Sequence, residues 1–287
     1  MFDQAEALRA LVRDRVMCAR PYPEPRRAYT IAVTSGKGGV GKTSIAVNLA
    51  LMLSRAGRQV RLIDADFGLS NAEVLLGVAP RYTLHDVVRG RVDVRDAWAD
   101  APGGIKLLSS GSGLEEMANI EGAVGTGLID YVLQSGSDGD VVVIDTAPGI
   151  NDSVVSLLSF TDEVMIVTTP EPTSITDSYA AMKVLLTRSP DSDITLVANC
   201  CTSPSQATGV AKGLDSICMR FLNKSFQRYE YLPADAAVSQ AIRAQRPLAI
   251  SQAHSAIEPW LRKITIKLED RIRRHSPVER MPELVGV

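Results

Sequence analysis

From residue 29 onward, short apolar runs rich in β-branched residues alternate with longer stretches whose apolar positions recur at helical spacing. The runs YTIAVT (29–34), QVRLIDAD (59–66), IKLLSS (105–110), DVVVIDT (140–146), EVMIVTT (163–169) and ITLVANC (194–200) read as strands, with YEYL (229–232) as a further candidate. Between them the helical period predicts helices over 43–57, with Gly57 as a C-terminal stop, and over 122–135, 152–159, 174–187, 206–225 and 236–244. A last stretch, 255–274, sets Ile257, Trp260, Leu261, Ile264, Leu268 and Ile272 on one helical face. Strands that are apolar throughout are buried on both faces, and strands separated by helices pair in parallel. The pattern therefore predicts an α/β fold, a mostly parallel twisted sheet with helices on both faces.

The N-terminal end departs from this rhythm. Residues 2–17, FDQAEALRALVRDRVM, carry Phe2, Ala5, Leu8, Leu11, Val12 and Val16 near a helical period and predict a short amphipathic helix. ARPYPEPRR then places Pro21, Pro23 and Pro25 close together, which removes backbone donors and predicts an extended linker. The expected division is an N-terminal helix over 1–20, a linker over 21–28, a main domain over 29–275 and a tail over 276–287.

Composition narrows the classes. A formal net charge of −2 gives no global attraction to nucleic acid or anionic lipid, leaving only local patches. The four cysteines, Cys18, Cys200, Cys201 and Cys218, form no C-x-x-C pair, which argues against a zinc or redox motif. Cys200 and Cys201 end an apolar run and read as buried free thiols. No apolar segment resembles a signal peptide or nears the roughly 20 residues of a transmembrane helix, so a cytoplasmic protein is the expectation.

The chemistry concentrates in TSGKGGVGKTS, residues 34–44. Gly36, Gly41, Lys42 and Thr43 fit the phosphate-loop pattern, with a strand before and a helix after. Glycines let the backbone curl so that N–H groups from Gly36 through Lys37, Gly38, Gly39, Val40, Gly41, Lys42, Thr43 and Ser44 face phosphate oxygens. The following helix adds its N-terminal dipole. Lys42 would meet the β- and γ-phosphates and the Thr43 hydroxyl would ligate Mg²⁺. Asp64, Asp66 and Asp145 end two of the strands and so lie on the same sheet edge as the loop. One such carboxylate can hold Mg²⁺ through water and another can orient an attacking water, although strand-end aspartates also cap turns.

The loop GKGGVGKT, with its extra lysine Lys37, is the deviant Walker A signature, and the chain resembles the MinD/ParA family of dimerising ATPases. The likeness runs from about residue 30 to 250 through GKGGVGKTSIAVNLA, LIDADFGLSNAEVLLG, VVVIDTAPGI, VTTPEPTSITDSYAAMKVL and YLPADAAVSQAIRAQRPL. It implies a P-loop NTPase of the SIMIBI class using ATP and Mg²⁺. Carried over by position, Lys42 is the loop lysine, and Lys37 reaches the nucleotide of a second subunit. Asp66 is the catalytic aspartate, and Asp145 is the Walker-B group that holds Mg²⁺ with Thr43 and Asp64. Asp64, Asp66, Asn71, Asp145 and Gly149 form the switches, while Asn199 and the segment from Pro233 to Asp235 face adenine. Within the family the wording resembles the flagellar-number regulators, the FlhG or FleN branch. There the D-Q-A-x-x-L-R helix, here Asp3, Gln4, Ala5, Leu8 and Arg9, stimulates an FlhF-type signal-recognition GTPase. Further implied partners are flagellar switch-complex proteins and a σ54-dependent transcription activator.

MinD-type proteins end in a cationic amphipathic helix that binds lipid. The stretch 255–274, with Arg262, Lys263, Lys267, Arg271, Arg273 and Arg274, fits such an interfacial helix and equally a last core helix with a solvated polar face; the core reading is preferred, and a membrane surface stays among the partners. A DNA-partitioning ATPase is the alternative class, with direct DNA binding disfavoured by the N-terminal motif. An iron–sulfur carrier would need a bridging cysteine pair at a dimer face, and a non-hydrolysing scaffold fits poorly with a full set of motif residues.

Overall fold

The computed structural model describes residues 28–67, 70–111, 132, 141–226, 228–251 and 255–275. Eight strands form one sheet: β1 (Tyr29–Thr34), β2 (Val60–Ala65), β3 (Ala99–Asp100), β4 (Lys106–Leu108), β5 (Val141–Thr146), β6 (Glu163–Thr168), β7 (Ile194–Cys201) and β8 (Arg228–Pro233). Their order is β3-β4-β2-β5-β1-β6-β7-β8. Every pairing is parallel except that of β3 with β4. The α-helices are α1 (Lys42–Arg55), α2 (Ala72–Leu76), α3 (Leu84–Val88), α4 (Asp152–Leu158), α5 (Pro172–Arg188), α6 (Pro204–Leu222), α7 (Ala236–Arg243), α8 (Leu248–Ser251) and α9 (Glu258–His275).

All six strand runs and the candidate at 229–232 are strands. The two-residue β3 and the four- and five-residue helices α2, α3 and α8 are too short to show a period, and the sequence reading has none of them. The expected helix over 122–135 lies outside the described residues except for Val132, which is buried. The N-terminal helix with Asp3 to Arg9, almost all of the linker, and the tail also lie outside them.

The central strands β1, β5 and β6 are buried along their whole length because both faces are covered. Ile31, Val33, Val141, Val143, Met165 and Val167 point into one core, shared with α1, α8 and α9. Ala32, Val164 and Ile166 point the other way, against Val154 and Leu158 of α4, Met182 and Leu185 of α5, and Val210 and Leu214 of α6. The helix after β1 therefore covers one face, and the helices after β5 and β6 cover the other. That splits the connections at β1 and opens a crevice beyond its carboxyl end, the usual ligand position in an open parallel sheet.

The C-terminal helix α9 decides between its two sequence readings. Leu261, Ile264, Leu268 and Ile272 are buried in the same core as α1. Each such side chain contributes about 1.5–3 kcal/mol by transfer from water. Several of its cations are paired within the chain: Arg262 with Glu258, Lys267 with Glu230, Arg271 with Glu163 and Arg273 with Glu269. The apolar face packs on the sheet, as a core helix does. Among the described residues no helix is long and apolar enough to cross a membrane.

Candidate nucleotide site

The loop between β1 and α1 runs close against two other elements. A Cβ at Gly36 would lie 2.1 Å from the Asp177 carbonyl oxygen, so only glycine lets the loop lie this close to α5. Gly41 caps α1 in the left-handed region at φ 93°, and a Cβ there would lie 2.6 Å from the Asn199 amide nitrogen. That nitrogen donates to the Val40 carbonyl at 2.8 Å. The sequence reading has Asn199 facing adenine; here its side-chain nitrogen is engaged by the phosphate loop. Ser35 Oγ donates to the Lys37 carbonyl at 2.8 Å, and the Gly149 N–H donates to the Ser35 carbonyl at 2.8 Å. The loop is thus tied to the segment after β5 and to the end of β7, contacts a local motif does not reveal.

Two carboxylates stand side by side under the loop. Asp64 of β2 and Asp145 of β5 are register partners on neighbouring parallel strands, and both are fully buried. Asp64 is occupied. Its oxygens accept from the N–H groups of Asp66, Asn71 and Ala72 at 3.1, 2.9 and 2.9 Å and from the Ser70 hydroxyl at 2.9 Å. Burial raises its pKa from the ordinary carboxylate range, opposed by these donors. Through them Asp64 anchors Asp66, Ser70 and the start of α2, including Asn71, which precedes that helix.

Asp145 is different. Lys42 Nζ lies 3.5 Å from its Oδ1, and the Thr43 hydroxyl donates to the carboxylate. Its Oδ2 is buried and has no hydrogen-bond partner among the described residues. Burial pushes its pKa up to about 7, held back by Lys42 and Thr43 and reinforced by the charges of Asp64 and Asp66. An orphaned buried oxygen next to a hydroxyl and a buried ammonium is what an oxygen-loving divalent cation would complete, so Thr43 and Asp145 fit Mg²⁺. Asp66 is half-buried at the end of β2, near enough for its charge to act on Asp145.

The two lysines of the loop go to different places. Lys42 is 8% exposed and points at Asp145, which is 1% exposed. Lys37 is 40% exposed, and its Nζ contacts Glu171 Oε2 at 3.3 Å and Thr173 Oγ1 at 3.1 Å, where α5 begins. Asp235 lies further along the same edge, its carboxylate capping α7 at Ala237 and accepting from Ile257 N–H. Pro233 ends β8 beside Cys201. The reading of both cysteines as buried fails for Cys200, which is exposed while Cys201 is buried. A register shift between Ala198 and Cys201, with Cys200 at φ 56°, turns its side chain outward.

A family model described as ParA, NUBPL iron-transfer P-loop NTPase, matches residues 26–268, from just before β1 into α9. The chain belongs to the ParA/MinD family of P-loop NTPases. Among curated members of the family it is 43% identical over 216 residues to the antiactivator FleN of Pseudomonas aeruginosa, covering 75% of this chain and 77% of that protein. It is 37% identical over 179 residues to the flagellum site-determining protein YlxH of Helicobacter pylori, covering 61% of this chain and 59% of that one. The ParA/MinD fold is seen in the cell-division ATPase MinD of Pyrococcus furiosus, with a TM-score of 0.72 at 23% identity, covering 85% of this chain and 99% of that one. The Mg-ADP complex of MinD from Pyrococcus horikoshii superposes with a TM-score of 0.71 at 22% identity, covering 88% and 100% of the two chains. Among the described residues no three His, Cys, Asp or Glu side chains converge as a metal-binding group.

Proposed function

We propose that this chain is an ATP-gated dimerising ATPase switch that regulates flagellar number, placement and biosynthesis. The observation that carries the switch is the division of labour between Lys42 and Lys37: one is buried at the carboxylate site, and the other is held at the exposed rim, away from it. A second lysine so placed is suited to a site closed by another copy. The flagellar assignment rests on the likeness to FleN and YlxH.

Each residue then has a task. The loop N–H groups cradle the triphosphate and Lys42 neutralises its β- and γ-oxygens. Thr43 and Asp145 would hold Mg²⁺, with Asp64 supporting the switch segment from behind. When bound, the ion supplies charge neutralisation across the β- and γ-phosphates. Asp66 orients the attacking water. Gly149, hydrogen-bonded to Ser35, transmits the presence or loss of the γ-phosphate to the segment that follows β5. Lys37 leaves Glu171 and meets the phosphates of the facing copy, offsetting the repulsion between two triphosphates. Asn199, Pro233 and Asp235 lie along the edge where the base would sit. The N-terminal helix, through Asp3, Gln4, Ala5, Leu8 and Arg9, stimulates an FlhF-type GTPase; flagellar switch-complex proteins and a σ54-dependent activator are the further partners, and the cytoplasm is the location.

Two assays test this. Wild-type chain with ATP and Mg²⁺ should release phosphate, and Asp66→Ala should stop release while ATP remains bound; undiminished release removes Asp66 from catalysis. Mixing with an FlhF-type GTPase, with and without residues 1–20, tests the partner, and stimulation that survives the deletion refutes the helix assignment. A division-site or DNA-partitioning ATPase is the second reading, favoured by the 39% identity over 156 residues to a putative MinD of Chlorella vulgaris. An ATP-dependent shift of DNA in a gel would select the partitioning form.

A further inference from the structure

Past the phosphate loop, Asn48 is the one polar side chain buried on α1, at 4% exposed among Ile45, Val47, Leu49 and Leu51. An asparagine is a poor helix former, and its carboxamide must find partners when buried. The Nδ2 donates to the Ser44 carbonyl at 2.7 Å, one turn back on α1. The Oδ1 accepts from the Ala249 N–H at 2.9 Å, 201 residues along the chain. Ser44 ends the phosphate-loop run, so one side chain joins the first turn of α1 to α8.

Ala249 belongs to an excursion that leaves the sheet at Pro233 and returns at Ile257. Asp235 closes its base by capping α7 at Ala237 and accepting from the Ile257 N–H. Within the excursion α7 is loosely seated. None of its residues is fully buried, and only Ala237, Val238 and Ala241 lean on the core. A small cavity parts it from α1, lined by Ser44, Val47, Asn48, Ala241 and Ile242. Packing along α7 therefore does not fix where the excursion stands; buried Leu248 and Ala249 do, with the Asn48 hydrogen bond setting their register on α1. The excursion also begins at the edge that carries the loop. Pro233 is the register partner of Cys201, the Ala234 N–H donates to the Cys201 carbonyl at 3.2 Å, and Asn199, two residues earlier, holds the Val40 carbonyl.

We infer that Asn48 is a positioning residue: it sets the corner from Pro233 to Asp235 at a fixed span from the phosphate turn, so that the nucleoside half of a ligand adds to binding only while this hydrogen bond holds. The inference rests on the nucleotide reading above, not on the dimer. One flank of the loop is taken by Asp64 and Asp145 on β2 and β5. A phosphate chain held at Lys42 and Asp145 directs its nucleoside to the other flank, over β7 and β8. Asn48 touches neither half. It acts through Ser44 on one side and Ala249 on the other.

The test is calorimetric titration of wild type, Asn48→Ala and Asn48→Asp with ADP and with pyrophosphate, each with Mg²⁺. Neither ligand is hydrolysed by loss of a γ-phosphate, and their affinity ratio isolates the nucleoside. Wild type should prefer ADP by at least about 30-fold. Asn48→Ala should bind pyrophosphate within about 3-fold of wild type while its preference for ADP falls about 10-fold. Asn48→Asp keeps an oxygen for Ala249, and its charge acts on both ligands alike, so the preference should stay within about 3-fold of wild type. In wild type, pyrophosphate alone should slow hydrogen exchange at the amides of α7, a readout that stands even if Asn48→Ala does not fold. An unchanged preference in Asn48→Ala overturns the inference and leaves the nucleotide site standing. So does an equal loss of both ligands, which would place the residue's action inside the phosphate turn, a loss of preference in Asn48→Asp as large as in Asn48→Ala, or α7 exchange that ignores pyrophosphate. A wild type with no preference for ADP removes the nucleoside side of the site and this inference together.

Discussion

Two buried carboxylates sit at opposite ends of the same sheet, and they are treated in opposite ways. Glu163 begins β6. It accepts from Arg271 Nε and a second guanidinium nitrogen at 2.8 Å each, from the Thr195 hydroxyl at 2.7 Å and from the Tyr29 hydroxyl at 3.2 Å. Asp145 ends β5. It has a long contact to Lys42, a hydroxyl from Thr43, and an oxygen with no partner among the described residues. Both are fully buried. A buried carboxylate with all its lone pairs answered ties elements together; one left incomplete costs stability and persists because a ligand completes it. The contrast separates the end of the sheet that holds the fold from the end that carries the candidate nucleotide site.

The comparison can be broken most severely at the satisfied end. Arg271→Ala leaves Glu163 buried without its cation and detaches α9 from the sheet. It should cost about 3–5 kcal/mol in urea unfolding, while ATP affinity per folded molecule stays unchanged. If stability falls by less than about 1 kcal/mol, the pair is not holding α9.

At the incomplete end the same kind of change should do the reverse. Asp145→Asn should lower ATP hydrolysis by about 100-fold or more while stabilising the nucleotide-free protein at pH 8 by on the order of 1–2 kcal/mol. The sign follows from the protonation states. The folded carboxyl is pushed up to about 7, above the ordinary carboxylate range, so the folded state holds its proton more tightly than the unfolded chain. Stability from this group is full below about pH 4 and is lost as pH rises toward 7, with no further change above. Urea midpoints of wild type and Asp145→Asn should therefore converge near pH 4 and separate up to pH 7. A constant offset would show that the asparagine acts by packing alone.

The smallest effect belongs to the rim. Glu171→Gln removes an ion pair whose partners are 40% and 65% exposed, worth below about 1 kcal/mol. Freeing Lys37 should tighten the ATP-bound dimer by no more than about 5-fold. A weakened dimer would mean that Glu171 supports Lys37 in the closed state instead of holding it back in the open one.

The parts of this account that were legible in the sequence are those written locally. Gly36, Gly41, Lys42 and Thr43 occupy fixed spacings because a phosphate dictates them, and continuous apolar runs announce strands covered on both faces. What was hidden depends on distant partners. Lys37 finds Glu171 across 134 residues, and Glu163 finds Arg271 across 108. Nothing around Glu163 marks it as buried, and nothing around Lys37 names a partner within its own subunit; the sequence reading gave that lysine no task there. Asp64 and Asp145 both read as strand-end acids. Only the N–H groups of Asp66, Asn71 and Ala72 converging on Asp64 turn one into an anchor and leave the other open. Cys200 misled because a strand period cannot register a bulge.

The proposed switch requires that one lysine of the loop serve its own subunit and the other serve a second copy. Sedimentation of wild type, Lys42→Ala and Lys37→Ala with Mg²⁺ and a slowly hydrolysed ATP analogue, alongside fluorescent ATP binding, addresses it directly. Lys42→Ala should lose nucleotide binding and with it the dimer. Lys37→Ala should keep nucleotide affinity within about 10-fold of wild type and remain a monomer. A Lys37→Ala chain that dimerises as wild type does would contradict the account.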